Sequence, residues 1–403
     1  MTASNAFLQP LNWDPFNKAQ IEALINSRGR PAAGYDPAKP PYAVFDWDNT
    51  SIFLDIEEAV LAYQIQHLVF KATPELLNAA IRKDIGTGDF AAEFNTLDGA
   101  SVRIGELAPD IIESYTWLYD HYAGLRGNQT LQEVSRSPHF LAFASKLRYL
   151  YEAIGGTFDH SVSYPWVTYL FAGMTEDDVR RLTRQTVEWQ LTQPVGKVTW
   201  QTPEALPGRA GRVAVSWKNG LRLVPEMQNL YRTLRENGFD VWVCSASFVD
   251  VVREVSSNPA YGYANPEDHV YAMELARDES GRIRAQFRAG YDQTQGAGKT
   301  KTIRRFLVSK YGYGPAFVAG DSEGDQNMMR DFEDTRLSLI VNRLRSPATD
   351  IGRFSKQAVD TYRGQNVRFL LQGRDENTGL FIPSQASRPL GGDALKVLSC
   401  EGS

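Results

Sequence analysis

Short apolar runs that end in carboxylate- or hydroxyl-bearing residues recur along this chain. Tyr42-Ala43-Val44-Phe45 leads into Asp46, Val241-Trp242-Val243-Cys244 into Ser245, and Ala316-Phe317-Val318-Ala319 into Gly320-Asp321. Leu337–Val341 is a fourth run of the same texture. Each is the length of a strand buried on both faces. Between the later runs the apolar spacing changes to three and four. Met227, Leu230, Tyr231 and Leu234 follow Pro225 at a first helical position, and Asn237-Gly238 supplies a Gly-type stop. Ile303, Phe306 and Leu307 mark a second helix over Lys299–Lys310, closed by the turn Tyr311-Gly312-Tyr313-Gly314-Pro315. Strands alternating with helices predict right-handed βαβ units, and so an α/β fold with a doubly wound parallel sheet.

From Ile56 to about Gln190 the periodicity is helical instead, as in Ala59, Val60, Tyr63 and His67 with Leu68, and in Ile111, Tyr115, Leu118 and Tyr122. The stretch Gln201–Gly220, rich in Pro, Gly and Arg, reads as a connector with a short hairpin. The first 40 residues are polar and punctuated by Pro and Gly, which suits a surface wrap. The expected organisation is a core of residues 1–55 and 221–403, with a mainly helical unit, 56–220, inserted after the first strand.

Composition narrows the function classes. At 403 residues the chain can bury two full cores, and its 42% hydrophobic and 23% charged fractions are those of a globular protein. A net charge of −5 speaks against a nucleic-acid partner. No apolar run is long enough to span a bilayer. Cys244 and Cys400 cannot build a disulfide framework, and five scattered histidines form no zinc motif. Met1–Ala6 lacks a basic region followed by an apolar core, so no signal peptide is visible; low cysteine usage fits cytoplasm and bacterial periplasm equally.

The strand ends carry the chemistry. Asp46 and Asp48 sit one residue apart in Asp46-Trp47-Asp48-Asn49-Thr50. On a continuing strand they would face opposite sides, so they converge only if the strand ends and the backbone turns. Ligands of open α/β sheets bind beyond such carboxyl ends. Alone, the pair also fits a solvated strand exit. Ser245-Ala246-Ser247, with a hydroxyl and backbone amides ahead of a helix, fits a phosphate cradle or a plain helix cap. Asp321 and Asp325, in Gly320-Asp321-Ser322-Glu323-Gly324-Asp325, offer the oxygen ligands a hard divalent cation takes, or a capped turn. Lys299 lies at a helix start, 22 residues before Asp321, where a surface charge is the plain alternative. Gly298-Lys299-Thr300 mimics the end of a P-loop, but Gln293 stands where that motif needs its first glycine. Asn49-Thr50-Ser51 matches a glycosylation sequon inside the catalytic candidate and is set aside.

In chain order, Asp46–Thr50, Ser245, Lys299 and then Asp321 with Asp325, the four segments resemble the motifs of the haloacid-dehalogenase-like phosphatase superfamily, over residues 42–55 and 221–345. The resemblance implies a Rossmann-like core with a large helical cap after the first strand, and a Mg²⁺-dependent phosphomonoester hydrolase working through an aspartyl-phosphate. Asp46 would be the nucleophile and Asp48 the proton donor and acceptor. Ser245, Ala246, Lys299, Asn49 and Thr50 would bind phosphate, and Asp46, Asp48, Asp321 and Asp325 the metal. The superfamily's dehalogenases generally lack the second acid. The large helical insert resembles that of phosphoserine-phosphatase-like members. DWDNT, Asp55-Ile56-Glu57-Glu58-Ala59, SAS and GDSEGD resemble bacterial phosphorylcholine phosphatases. Trp47 and the absence of paired glycines after Ser245 depart from many phosphoserine phosphatases and argue against an amino-acid substrate. The resemblance also favours a periplasmic or secreted protein whose signal has been removed.

A choline head group offers no N–H donor, so carboxylates and π faces must recognise it. Glu58 is the preferred carboxylate, with Asp55 and Glu57 behind it. Tyr115, Trp117 and Trp166 are the preferred aromatics, from the sets Tyr115, Trp117, Tyr119, Tyr122 and Tyr164, Trp166, Tyr169. Each also fits an amphipathic helix core, and Glu58 a solvated helix N-terminus. Two other functions fit the same motifs: a phosphotransferase or mutase, and a binding protein without catalysis.

Overall fold

The computed structural model describes residues 7–399, so Met1–Ala6 and Cys400 lie outside it. Its centre is a six-stranded sheet of β1 (Tyr42–Phe45), β2 (Asp240–Phe248), β3 (Val270–Met273), β4 (Phe317–Gly320), β5 (Leu337–Val341) and β6 (Phe369–Gln372). The order is β6-β5-β4-β1-β2-β3, and every neighbouring pair is parallel. This is the α/β, Rossmann-like sheet that the strand–helix alternation implies.

The short apolar runs become strands because both sheet faces are covered. Ala43, Phe45, Val241, Val243, Phe317, Ala319 and Leu339 belong to one hydrophobic cluster, with Met227, Leu230 and Leu234 of the helix Pro225–Glu236. The alternate residues Tyr42, Val44, Trp242, Val318 and Ile340 belong to the other, with Ile303, Leu307, Met328 and Ile351. Phe45 pairs with Ala319 on one side and Val243 on the other, so the ends of β1, β4 and β2 lie side by side.

Between β1 and β2 the chain runs through helices including Ile56–His67, Ile104–His121, Pro138–Thr157, His160–Thr168 and Glu176–Thr192. The hairpin is wider than the sequence suggests. Gly196–Gln201 pairs with Ala214–Asn219 across the Pro- and Gly-rich stretch, so its first strand begins before the connector. No helix of the described residues is long and apolar enough to cross a membrane.

The amino-terminal expectation is corrected. Pro15–Arg28 is a helix, with Asp14 capping the amides of Phe16 and Asn17. Ile21, Leu24 and Ile25 are buried, and Asn17 Nδ2 donates to the Leu371 carbonyl at 2.8 Å, tying the helix to β6. The surface-wrap reading fails because Ile21, Leu24 and Ile25 join the core, while Asn17 and Glu22 on the same buried face obscure the periodicity.

Candidate active site

The backbone reverses directly after β1. The Asp46 amide still donates to Ala319 O at 2.9 Å, but those of Ser51 and Ile52 donate back to Trp47 O. Asn49 and Leu54 take φ values of 57° and 66°, and Asn49 N donates to Leu54 O at 3.0 Å. Asparagine tolerates this left-handed region and leucine rarely enters it. The turn brings Asp46 and Asp48 to one cavity of about 290 Å³ while Trp47 points into the core, edge-on to Tyr263.

Lys299, at the start of the helix Ala297–Thr302, is buried between two carboxylates. Its Nζ lies 2.5 Å from Asp46 Oδ1 and 2.6 Å from Asp325 Oδ1. Burial alone would lower the lysine's pKa, but Asp325 and Asp46 outweigh it and raise it. One ammonium between two carboxylates leaves a negative surplus. Burial, and then Asp325, hold the Asp46 carboxyl well above its ordinary range against the pull of Lys299.

Asp325 Oδ2 accepts from the amides of Asp321 and Ser322 at 3.0 and 3.1 Å. Thr50 Oγ1 lies between Asp46 Oδ2, at 3.1 Å, and Asp321 Oδ1, at 3.0 Å. On its other oxygen Asp321 receives Arg343 Nη1 at 2.7 Å and Arg345 Nη2 at 3.4 Å. Burial would raise the Asp321 pKa; Arg343 and then Arg345 bring it down instead. Asp46, Asp321 and Asp325 each present an oxygen within 4.8 Å of the others, an all-oxygen set that suits a hard divalent cation.

Asp48 has a different environment. Its Oδ1 accepts from Ile56 N at 2.8 Å and its Oδ2 from Ser247 Oγ at 2.7 Å. Burial pushes its pKa up to about 6 against those two donors. A carboxyl poised there can both give and take a proton near neutrality.

The other expected residues divide. Ala246 and Asn49 line the cavity. Ser245 does not: it is buried, its Oγ accepting the Ser247 amide at 3.1 Å and donating to Asp48 Oδ2 at 3.3 Å. Thr50 is likewise buried, holding carboxylates together. Glu58 lines the cavity but is already paired, its Oε2 lying 2.6 Å from Arg148 Nη2. Asp55 and Glu57 also line it, with no ion-pair partner among the described residues. Burial first, then neighbouring acids, raise both pKa values.

The three aromatics are corrected. Tyr115 is buried against Phe143 and donates to Ala72 O at 2.8 Å. Trp166 is buried with Nε1 on Ile81 O at 3.0 Å, and Trp117 stacks on His121 and His139. They pack among the helices. Tyr151 and Tyr164 line the cavity instead. The sequence reading missed Ser247, Tyr151, Arg343 and Arg345. Ser247 stands within the Ser245-Ala246-Ser247 segment, and the arginines had a signal as well, since Asn342-Arg343-Leu344-Arg345 leaves β5 at the same sheet edge.

A parallel sheet with this carboxylate and lysine cluster at its edge is the frame of a hydrolase family. The family model for haloacid dehalogenase-like hydrolases matches residues 116–330, and the chain belongs to that family. Among solved structures it is similar to a conserved, functionally unknown protein from Anaerococcus prevotii DSM 20548. That pair is 33% identical with a TM-score of 0.90, covering 95% of this chain and 99% of the other. It is also 24% identical over 268 residues to the phosphorylcholine phosphatase of Pseudomonas aeruginosa. That match takes in 66% of this chain and 56% of the Pseudomonas protein, just over half its length.

Proposed function

We propose that this hydrolase is a phosphomonoesterase that transfers the phosphoryl group first to Asp46 and then to water. The observation that carries this is the pairing of Asp46, held by Lys299 and Thr50, with Asp48, held near pKa 6, at one cavity. An Asp46 oxygen attacks phosphorus as the ester P–O bond breaks, and protonated Asp48 gives its proton to the departing alkoxide. Asp48, now a carboxylate, takes a proton from water, whose oxygen attacks the same phosphorus and frees Asp46 and phosphate. Lys299 and the Ala246 amide, both at the cavity, would receive phosphoryl oxygens.

Asp46, Asp321 and Asp325 would hold Mg²⁺, with the Asp48 main-chain carbonyl as the ligand the family resemblance adds. The ion would supply positive charge to the reacting phosphoryl oxygens. The sharing of one ammonium, Lys299, between Asp46 and Asp325 supports this, because it leaves that buried pair one negative charge for a further cation to balance.

For the substrate we favour phosphorylcholine or a similar cationic alcohol phosphate. The likeness to the Pseudomonas enzyme supports it, as do Asp55, Glu57, Glu58, Tyr151 and Tyr164 around the cavity. Residues 56–220 would form the cap that selects the alcohol. The test is phosphate release from a panel of phosphomonoesters with Mg²⁺ against a chelated blank. Phosphorylcholine should exceed phosphoserine and sugar phosphates. No Mg²⁺-dependent release from any ester sinks the phosphatase reading, and equal rates across the panel sink only the choline one.

A further inference from the structure

Arg148, in the helix Pro138–Thr157, is fully buried yet chemically odd. Its Nη2 lies 2.6 Å from Glu58 Oε2 and 2.9 Å from Glu152 Oε1. Its guanidinium carbon stands 4.6 Å from the centre of the Tyr151 ring and 5.5 Å from that of Trp217. Nε and Nη1 meet no hydrogen-bond acceptor among the described residues. Two carboxylates and two aromatic faces are the surroundings a cationic ligand would seek, and here the protein's own cation fills them.

The two carboxylates differ in what they face. Glu58 lines the catalytic cavity and also a neighbouring one of about 250 Å³, whereas Glu152 lines only the second. Their side chains are 32% and 37% exposed, so both retain solvent while Arg148 retains none. A single guanidinium shared by two carboxylates leaves the cluster one negative charge, and the part of it on Glu58 faces the substrate. Glu152, out of reach of the catalytic cavity, therefore sets how much of Glu58's charge Arg148 cancels.

Resting on the phosphorylcholine reading above, we infer that Arg148 and Glu152 are positioning residues that tune Glu58 for an alcohol carrying one positive charge. Removing the Glu152 charge leaves Arg148 wholly to Glu58 and cancels that residue's charge at the cavity. Removing the Arg148 charge does the opposite and makes the wall more negative. A merely structural pair would give losses of one sign.

The readout is the ratio of kcat/KM for phosphorylcholine to that for 3,3-dimethylbutyl phosphate, which has the same shape without the charge. Glu152→Gln should lower this ratio roughly two- to fivefold, the scale of a partly exposed ion pair, through KM for phosphorylcholine rather than kcat. Glu152→Asp should restore it, and Arg148→Gln, where it folds, should raise it. A wild-type preference for phosphorylcholine that Glu152→Gln leaves unmoved overturns this inference alone. Equal falls in both variants overturn it as well. A wild-type ratio near one overturns it together with the choline reading.

Discussion

At the scale of single residues, the site turns on carboxylates that are expensive to ionise. Asp46 is buried, crowded by Asp325 and Asp321, and shares Lys299 with one of them. Asp46→Asn should cut phosphate release to below about a hundredth of the wild-type rate, because an amide cannot attack phosphorus. Its melting temperature without metal should be unchanged or higher, since the substitution removes a charge that burial disfavours. A folded variant retaining more than that rate would rule out Asp46 as the attacking group. Residues of this kind were legible in the sequence because their types are chemically narrow and their order along the chain is distinctive. The aromatics were not. Tyr115 and Tyr151 both lie on helices at core-like spacing, and only tertiary packing turns one to the cavity and the other to Phe143.

At the scale of elements, the strand ends were legible and their supports were not. β1, β4 and β5 are buried throughout, so apolar runs, interrupted only by Ser338 in β5, reported them. The Pro15–Arg28 helix hid because its inner face carries Asn17 and Glu22. Glu22 Oε1 accepts the amides of Phe7 and Leu8 at 2.9 and 3.0 Å, a partnership no periodicity reveals. β6 and Arg374 lie past the last recognised motif, yet Arg374 Nη1 donates to Asn49 O at 2.8 Å and so braces the turn after β1. Tightness at the end of β4 gives a direct test. A Cβ on Gly320 would stand 2.6 Å from Asp325 Cβ and Cγ, so Gly320→Ala must displace the Asp325 side chain from its seat. Overpacking of this sort costs roughly 1–3 kcal/mol. Phosphate release should fall tenfold or more, with weaker Mg²⁺ binding by calorimetry. Undiminished Mg²⁺ affinity in a folded variant would show that Asp325 does not need this seat.

At the scale of the whole molecule, the carboxylates at the sheet edge make stability depend on protons and cations together. Burial is the largest cause raising the pKa values of Asp46, Asp48, Asp55 and Glu57, with Asp48 at about 6. A group raised in the folded state binds more protons there than in the unfolded chain, from the ordinary carboxylate range near pH 4 up to its raised value. Its contribution is therefore present at low pH and is lost as pH rises through that window. Asp321 runs the other way, because Arg343 and Arg345 outweigh its burial and keep it ionised; its share is lost only as pH falls below the ordinary range. His67, His139 and His269, lowered chiefly by burial, oppose this below the ordinary histidine value near 6.5, but the four raised carboxylates, joined by Glu152 and Asp250, outnumber them, so the metal-free protein should lose melting temperature between about pH 5 and about pH 7.5. A divalent cation on Asp46, Asp321 and Asp325 would favour the ionised forms and compete with those protons. The increase in melting temperature caused by Mg²⁺, measured against chelator at each pH, should then be small at about pH 5 and grow by several degrees towards about pH 7.5. An increment that stays flat across that range would mean the ion sits away from these carboxylates, and none at any pH would leave the cluster to the counter-charge of Lys299, Arg343 and Arg345.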